Sequence, residues 1–549
     1  MGPEPRSALL ESDHRLWTSL KGCVRIDTRT LAVFRILVGA LAVADLLLRS
    51  RNFTYFYTET GVVPRSLAME YSGYSIFHLT TSTTVIAALF VVHGLVALQL
   101  IVGYKTKIAT ILTFAFVVSL DHHNPFVLSY ADTLYRLLLF WAIFLPLGER
   151  WSVDAVHRDR PPRPSVANVA TAAILAQMVF MYFSNGLIKA QSSVWTGGNA
   201  APLVLGMDEM TFLLGDVVRG FPTLLEYGGL LWFYMLLGSW LLIALRGRPR
   251  MLMAGLFVGG HLSFALTVRI GAFAYVALAG VLLFLQAQFW DDARTMLAAI
   301  GIDTSRLAAH TARLERLAAA VPDYRLTSDR ALAAKRATYA AALGIVVVTI
   351  LFVAAVILFN VAAVVAASGD DDRPVEVRVD ESIAETLESS PGVEQVETVA
   401  SNLGIDQPIG WGVFAGPDPR TEDRYYVFPA ETERGERLDV WNDRELSFER
   451  PGDQLQRQYG TYRERFYMNS VRRGGDDTDV APNLAEYTCE QWSAANDDEL
   501  AYLELYMVGE DVTRETIDSP ADRERSYVAI YRHGCGDREP THVASPPPR

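Results

Sequence analysis

Lysine is scarce in this sequence: five residues in 549, against 44 arginines, and none of the five lies beyond Lys335. Cysteine is scarcer still, at three, which excludes a disulfide-framed miniprotein and any multi-cysteine zinc module. Positive charge falls 13 short of negative, which argues against a general nucleic-acid binder. Also missing are the phosphate-cradling P-loop, the HExxH zinc pair, the CxxC pair and the GxSxG elbow, so the familiar nucleotide-driven and metalloprotease readings are excluded. No repeat or low-complexity tract occurs beyond a short acidic linker at 370–372 and a proline-rich tail at 546–548.

What is present divides in two. Residues 370–549 hold 19 Arg, no Lys and 40 Asp and Glu, a net charge of −21, while residues 1–369 carry +8. A split that sharp places the two parts in different surroundings. The first part has apolar runs of bilayer-spanning length at 31–48, 84–103, 108–121, 132–148, 166–188, 223–245, 251–268, 270–289 and 340–367. The expected fold is therefore an all-α polytopic membrane domain of about nine transmembrane helices. The third and fourth runs are short enough to form a re-entrant pair instead. The first 30 residues are polar, and the first apolar run is too long for the core of a cleavable signal peptide.

Lys and Arg in the connecting segments set the expected orientation. With the N-terminus cytoplasmic, inside segments hold 22 basic residues and outside segments hold 6. The expected order is a cytoplasmic segment 1–30, a transmembrane domain 31–290, a cytoplasmic helical connector 291–339, a last transmembrane helix 340–367 and an acidic extracytoplasmic domain 370–549. In the connector, Asp303-Thr304 caps a stretch in which Leu307, Leu314 and Leu317 recur at helical spacing among arginines. Its basic face rests on headgroups or on solvent. In the last part, alternating runs at 425–428, 502–508 and 525–531 predict strands, hence a soluble α+β or mainly β domain. Cys489 and Cys535 both fall outside, where a disulfide persists; Cys23 falls inside, alone. Spacing leaves it open whether the outer two are bridged. Abundant Arg, rare Lys and an acidic exterior resemble the composition of a halophilic microbe.

Ionisable residues inside spans are expensive and mark functional sites. Asp45, Asp132, Arg136, Lys189, Glu226, His261 and Arg269 gather toward the outer leaflet, as if lining a cavity that opens outward; Arg35 and His93 lie elsewhere. These residues also suit a plainer role as helix-end anchors. Lys189 and His261 stand out. A lysine, unlike an arginine, can give up its proton when desolvated and serve as a general base, or it can simply reach the headgroups. His261 can relay a proton, or pack as a hydrogen-bonded core histidine. His122-His123, read as an outer loop, make a poor metal site, since a transition metal wants three or four ligands; no metal is expected.

The strings Arg35-Ile36, Gly61-Val62-Val63-Pro64, Trp151-Ser152-Val153-Asp154, Tyr182-Phe183 with Gly186-Leu187-Ile188-Lys189, and His261 with Ile270-Gly271-Ala272-Phe273-Ala274-Tyr275 resemble the HTTM (horizontally transferred transmembrane) domain. This is the membrane domain shared with the vitamin K-dependent γ-carboxylases. Trp411-Gly412-Val413-Phe414-Ala415 and Tyr487-Thr488-Cys489-Glu490-Gln491-Trp492 resemble the outer part of microbial HTTM proteins. The resemblance implies that Lys189 is the catalytic base of a carboxylase- or oxygenase-type reaction using a reduced quinone, with a protein substrate on the outer face. His261, Asp132 and Arg136 would orient or polarise the substrate. Two family positions differ: Ala131-Asp132 stand near an asparagine–histidine pair, and Phe264 replaces an asparagine. The competing expectation is a non-enzymatic protein of the cell membrane that binds a lipid or quinone and docks a partner through its acidic domain. A transporter ranks last, because the polar groups do not run from face to face.

Overall fold

The computed structural model describes residues 18–301, 304–323, 328–366, 386, 393–404, 418–475 and 477–548. The string at 411–415, the linker 370–372 and Asp303 lie outside the described residues. The longer helices of the first part are α1 (Thr28–Ser50), α2 (Thr83–Val102), α3 (Thr106–His123), α4 (Tyr130–Ala142), α5 (Val169–Ala190), α6 (Ala200–Gly206), α7 (Pro222–Leu237), α8 (Arg248–Thr267), α9 (Phe273–Leu282), α10 (Ala287–Ala299), α11 (Thr304–Ala319) and α12 (Asp329–Ala366). Five of them, α1, α2, α5, α8 and α12, are long and apolar enough to cross a membrane. A sixth span arises if α9 and α10, bent by 101° at their junction, count as one.

All nine apolar runs contain helix, but several helices are cut short. Pro146 stops α4 at Ala142, four residues upstream, where the proline ring would meet the helix carbonyl. At α7 the chain leaves the helix at Gly238, beside the buried Ser239. The expected connector also shifts: α12 begins at Asp329 rather than 340, and α10 and α11 precede it. His122 and His123 form the buried last turn of α3 rather than a loop.

Two family strings tie one end of the bundle together. Arg35, fully buried on α1, donates to the carbonyls of Ile101 (3.2 Å), Leu147 (3.1 Å), Arg150 (3.0 Å) and Trp151 (2.5 Å). It thereby satisfies helix-end carbonyls that no helical N–H can reach. Asp154 accepts from the backbone N–H groups of Lys105 and Thr106, both at 2.8 Å, and so caps α3. Gly103 makes the tight α2–α3 turn possible: its φ is +71°, and a Cβ there would lie 2.4 Å from that of Ser152.

Beside this knot, Glu149 is buried against Arg158 (2.6 Å), Arg163 (3.0 Å) and Arg160 (3.1 Å). Burial pushes its carboxyl up, but hydrogen bonds from Arg163 and the charge of Arg158 outweigh it and hold the group at about 2. The folded value lies below the ordinary 4.5, so the stabilisation is complete above about pH 4.5 and is lost as pH falls toward 2. Melting of the purified protein in detergent from pH 6 to pH 3 should therefore drop less steeply in Glu149→Gln than in the parent. Parallel pH profiles for the two proteins would contradict this role.

The last part is built on an antiparallel sheet of β1 (Glu422–Val427), β2 (Pro429–Thr432), β3 (Arg437–Asp439), β4 (Arg444–Glu445), β5 (Leu500–Asp511) and β6 (Arg525–Gly534). The long β5 is its spine. On one edge it pairs with β1 (Tyr425 opposite Val508) and then β2 (Ala430 opposite Leu503); β6 takes the other edge. The three strands expected from alternation fall on β1, β5 and β6. Helices α13 (Val393–Asn402), α14 (Tyr462–Gly474) and α15 (Val480–Ala495) complete the part, and Tyr487 to Trp492 lie on α15.

Both faces of β1 are covered, as its period of two requires. Tyr425 and Val427 pack with Phe448, Tyr506 and Val508. Tyr426, with Phe428 just beyond the strand, packs with Tyr467, Met468, Val471 and Leu484, and this second core runs on without a break into Phe56, Tyr57, Val62, Phe77 and Phe126 of the helical part. Tyr55 meets Tyr487 at 5.3 Å and Phe56 meets Tyr467 at 5.4 Å between ring centroids. The two parts thus share one apolar core. Gly271 marks the closest approach: at φ +61° it lies under the Tyr462 ring, which a Cβ would meet at 2.3 Å.

Candidate functional site

Along α5 the buried residues Tyr182, Asn185 and Lys189 recur at spacings of three and four, which stacks them on one face of the helix. Seven residues put Lys189 about 10 Å along the axis from Tyr182. Helix α5 can run close to α7 because Gly186 has no side chain: a Cβ there would lie 2.9 Å from the backbone nitrogen of Leu237.

Lys189 occupies the last turn of α5 and is 1% exposed. Its Nζ lies 4.5 Å from the centroid of the Trp195 ring, in cation–π range. Just beyond, Ser192 donates to Asp418 at 2.5 Å, so the sheet-containing part reaches over the end of this helix. Lower on the same face, the Tyr182 hydroxyl and His261 Nε2 share a 2.7 Å hydrogen bond. Around His261 stand Trp232, Phe264 and Phe273, with ring centroids at 5.3, 6.0 and 6.1 Å. Phe264 is thus an apolar wall beside His261. His261 Nδ1 is buried with no hydrogen-bond partner among the described residues. The arrangement is a polar stripe in an aromatic box, with an amine at the C-terminal end of α5.

Asp132 and Arg136 make their polar contacts apart from those of Lys189 and His261. Asp132 closes a capping box at the start of α4, accepting from the Ser129 N–H at 2.7 Å. Its other oxygen takes Arg463 at 2.8 Å and Arg49 at 3.4 Å. Arg49 also holds Asp45 (2.7 Å) and Asp121 (2.5 Å), and Arg136 lies 3.5 Å from Asp121. Arg463 of α14 completes the cluster through Asp45. Three aspartates and three arginines balance, largely buried, where the ends of α1 and α3 meet the start of α4.

Glu226 and Arg269, also expected near the site, are engaged by the sheet-containing part. Glu226 pairs with Arg514, and Arg269 donates to the carbonyl of Gln456. A second charged seam follows α6: Asp208 binds Arg219 (2.7 Å), Arg450 (2.6 Å) and Arg523 (3.1 Å), while Glu209 takes Arg420 and Arg465. Asp423 of β1 receives the backbone N–H groups of Asp208 (2.7 Å) and Glu209 (2.9 Å). Most of these pairs join the helical part to the sheet-containing part.

His93 stacks on Phe116 at 5.1 Å, and His122 and His123 hold the carbonyls of Tyr74 and Tyr57. Among the described residues no cluster of three or more His, Cys, Asp or Glu could hold a metal. Cys489 and Cys535 are joined in a disulfide with Cα atoms 5.8 Å apart, and Cys23 is free. Sequence reasoning missed Tyr182, Asn185, Arg49, Asp121 and Arg463. The 182–185–189 spacing was the available signal for the first two.

No curated protein and no solved structure matches the chain. The helices that position Lys189 and His261, together with the Arg35 and Trp151 strings that tie the bundle, fall within residues 24–290, which match the family model of the HTTM domain; this helical part of the chain is an HTTM domain.

Proposed function

We propose that the protein is a membrane-embedded enzyme of the carboxylase or oxygenase type, acting on a quinone-like or lipid-like molecule from the outer side, with Lys189 as the base. The observation that carries this reading is the enclosure of Lys189: a 1% exposed amine at the outer end of an aromatic-walled polar stripe. The chemistry of this lining suits a flat apolar ring bearing a hydroxyl. The aromatic box takes the ring, His261 Nδ1 can hold an oxygen, and Lys189 in its neutral form accepts the hydroxyl proton on Nζ. A reduced quinone, when bound, supplies the electrons. Asp132 and Arg136 act at one remove, by holding the outer part in place.

The proposal includes nine spans in the cell membrane, the N-terminus cytoplasmic and the acidic part outside, on the 22-to-6 asymmetry of basic residues. In that compartment the Cys489–Cys535 bridge persists, and a protein substrate reaches the outer face. Protease added to intact cells should attack the region beyond residue 370; protection of that region would overturn the orientation. Native mass spectrometry of protein purified in mild detergent tests the ligand class. A co-purified quinone is the expected result, and a reproducibly ligand-free protein that also fails to bind added quinone would contradict it. A quinone bound without turnover would favour the non-enzymatic reading.

A further inference from the structure

A cavity of about 310 Å³ lies between the two parts, over the start of α4 and α9. Five arginines line it: Arg420, Arg424, Arg465, Arg472 and Arg473. No carboxylate among the described residues does. Two carboxylates behind it answer three of the guanidinium groups, Glu209 taking Arg420 and Arg465 and Glu422 taking Arg424 at 2.7 Å. Arg472 and Arg473 have no carboxylate within ion-pair distance among the described residues. The Nε atoms of Arg465, itself 8% exposed, and of Arg472 are buried without a hydrogen-bond partner there. Crowding of like charge shows in Arg420, lowered to about 9 by burial and then by Arg465 and Arg424.

The wall across from the arginines is apolar, with Met207, Ile270 and Phe273 facing in. An excess of cation with unanswered donors, half-buried at Arg472 and exposed at Arg473 and set against an apolar wall, is chemistry for an anionic amphiphile. We propose that this cavity binds the phosphate of an anionic lipid head group, gripped by Arg465, Arg472 and Arg473, with the start of its chain against Ile270 and Phe273. Guanidinium forks match phosphate oxygens in pairs, which favours phosphate over a point-like anion. The volume suits a head group and not a whole lipid, so the tails must leave along the helices. Such a lipid would act as a wedge of opposite charge between the sheet and the bundle. This site shares Phe273 with the aromatic box around His261, but its arginines take no part there, and its test does not depend on the enzyme reading.

The test uses full-length protein in mild detergent, with phosphatidylglycerol, phosphatidylcholine, oleate and inorganic phosphate as probes, read by native mass spectrometry and by the shift in melting temperature. The parent should retain phosphatidylglycerol at least tenfold better than phosphatidylcholine. Arg472→Gln/Arg473→Gln should lose that preference, and Arg472→Lys/Arg473→Lys should keep part of it. Displacement of phosphatidylglycerol by millimolar inorganic phosphate would make free phosphate an equal occupant; resistance to it would mark the lipid as the occupant. Equal retention of the two phospholipids by the parent, preference for oleate, or an undiminished preference in a folded glutamine variant would overturn the proposal. Because the comparison of lipids on the parent is decisive alone, a glutamine variant that fails to fold leaves it intact.

Discussion

Arg463→Ala is expected to destabilise the protein by about 3–5 kcal/mol, the scale for removing one partner of a buried ion pair. Arg463 binds Asp45 and Asp132 through one nitrogen and the Val127 carbonyl at 3.1 Å through another. Its loss leaves three aspartates, at 45, 121 and 132, to be answered by Arg49 and Arg136 alone. The excess negative charge is enclosed where α14 meets α1 and α4, so the damage concentrates at the seam between the sheet part and the bundle. Arg463→Lys should rescue little, because one ammonium cannot reproduce the guanidinium fork that spans both helices and the carbonyl. Arg463→Met combined with Asp132→Asn should recover part of the loss, since it removes charge from both sides. Thermal melting and limited proteolysis in detergent read the effect. A variant melting within a degree or two of the parent, with the sheet part no more sensitive to protease, would show the cluster to be incidental.

The shared apolar core makes the same point in another way. The Tyr55, Phe56 and Val62 segment packs against Tyr467 and Tyr487, so the sheet-containing part is not a passenger on a tether. Gly271, within the string Ile270-Gly271-Ala272-Phe273, sits where only a glycine lets Tyr462 approach. The family string there serves the joint between the parts.

What could be read in the sequence was whatever depends on local pattern. The apolar runs marked the helices, and alternation at 425–428, 502–508 and 525–531 marked three strands. The breaks were harder: a hydropathy run does not register that Pro146 ends α4 early or that α7 leaves the helix at Gly238. The site was half legible. Lys189 and His261 stood out because charge and imidazole are rare inside apolar helices, and their enclosure follows from the helices that carry them. The contacts of Asp132 were out of reach of a reading along the chain, because Arg463, which binds it, lies 331 residues away in sequence, and the other partner of Arg463, Asp45, lies 418 away. No window along the chain sees such pairs. The acidic excess of residues 370–549 hid the pattern further, since the arginines that matter are a minority among carboxylates.

Lys189→Arg is expected to keep the fold and to lower turnover by about 10²–10⁴, the contribution of a positioned general base. The reasoning begins from rarity: in a chain with 44 arginines and five lysines, arginine would serve equally well as a cation at a membrane surface. Arginine would also keep the stacking that Lys189 makes on Trp195, because a guanidinium sits on an aromatic face at least as well as an ammonium. What arginine cannot do is release its proton. A base role therefore separates the two residues where an anchoring role does not. The direct measurement is oxygen consumption by the purified full-length protein given a reduced naphthoquinone, compared between the parent and Lys189→Arg at matched melting temperature. The account predicts consumption by the parent and a loss of at least a hundredfold in the variant; equal rates in the two proteins, or no consumption by a folded parent that binds the quinone, would contradict it.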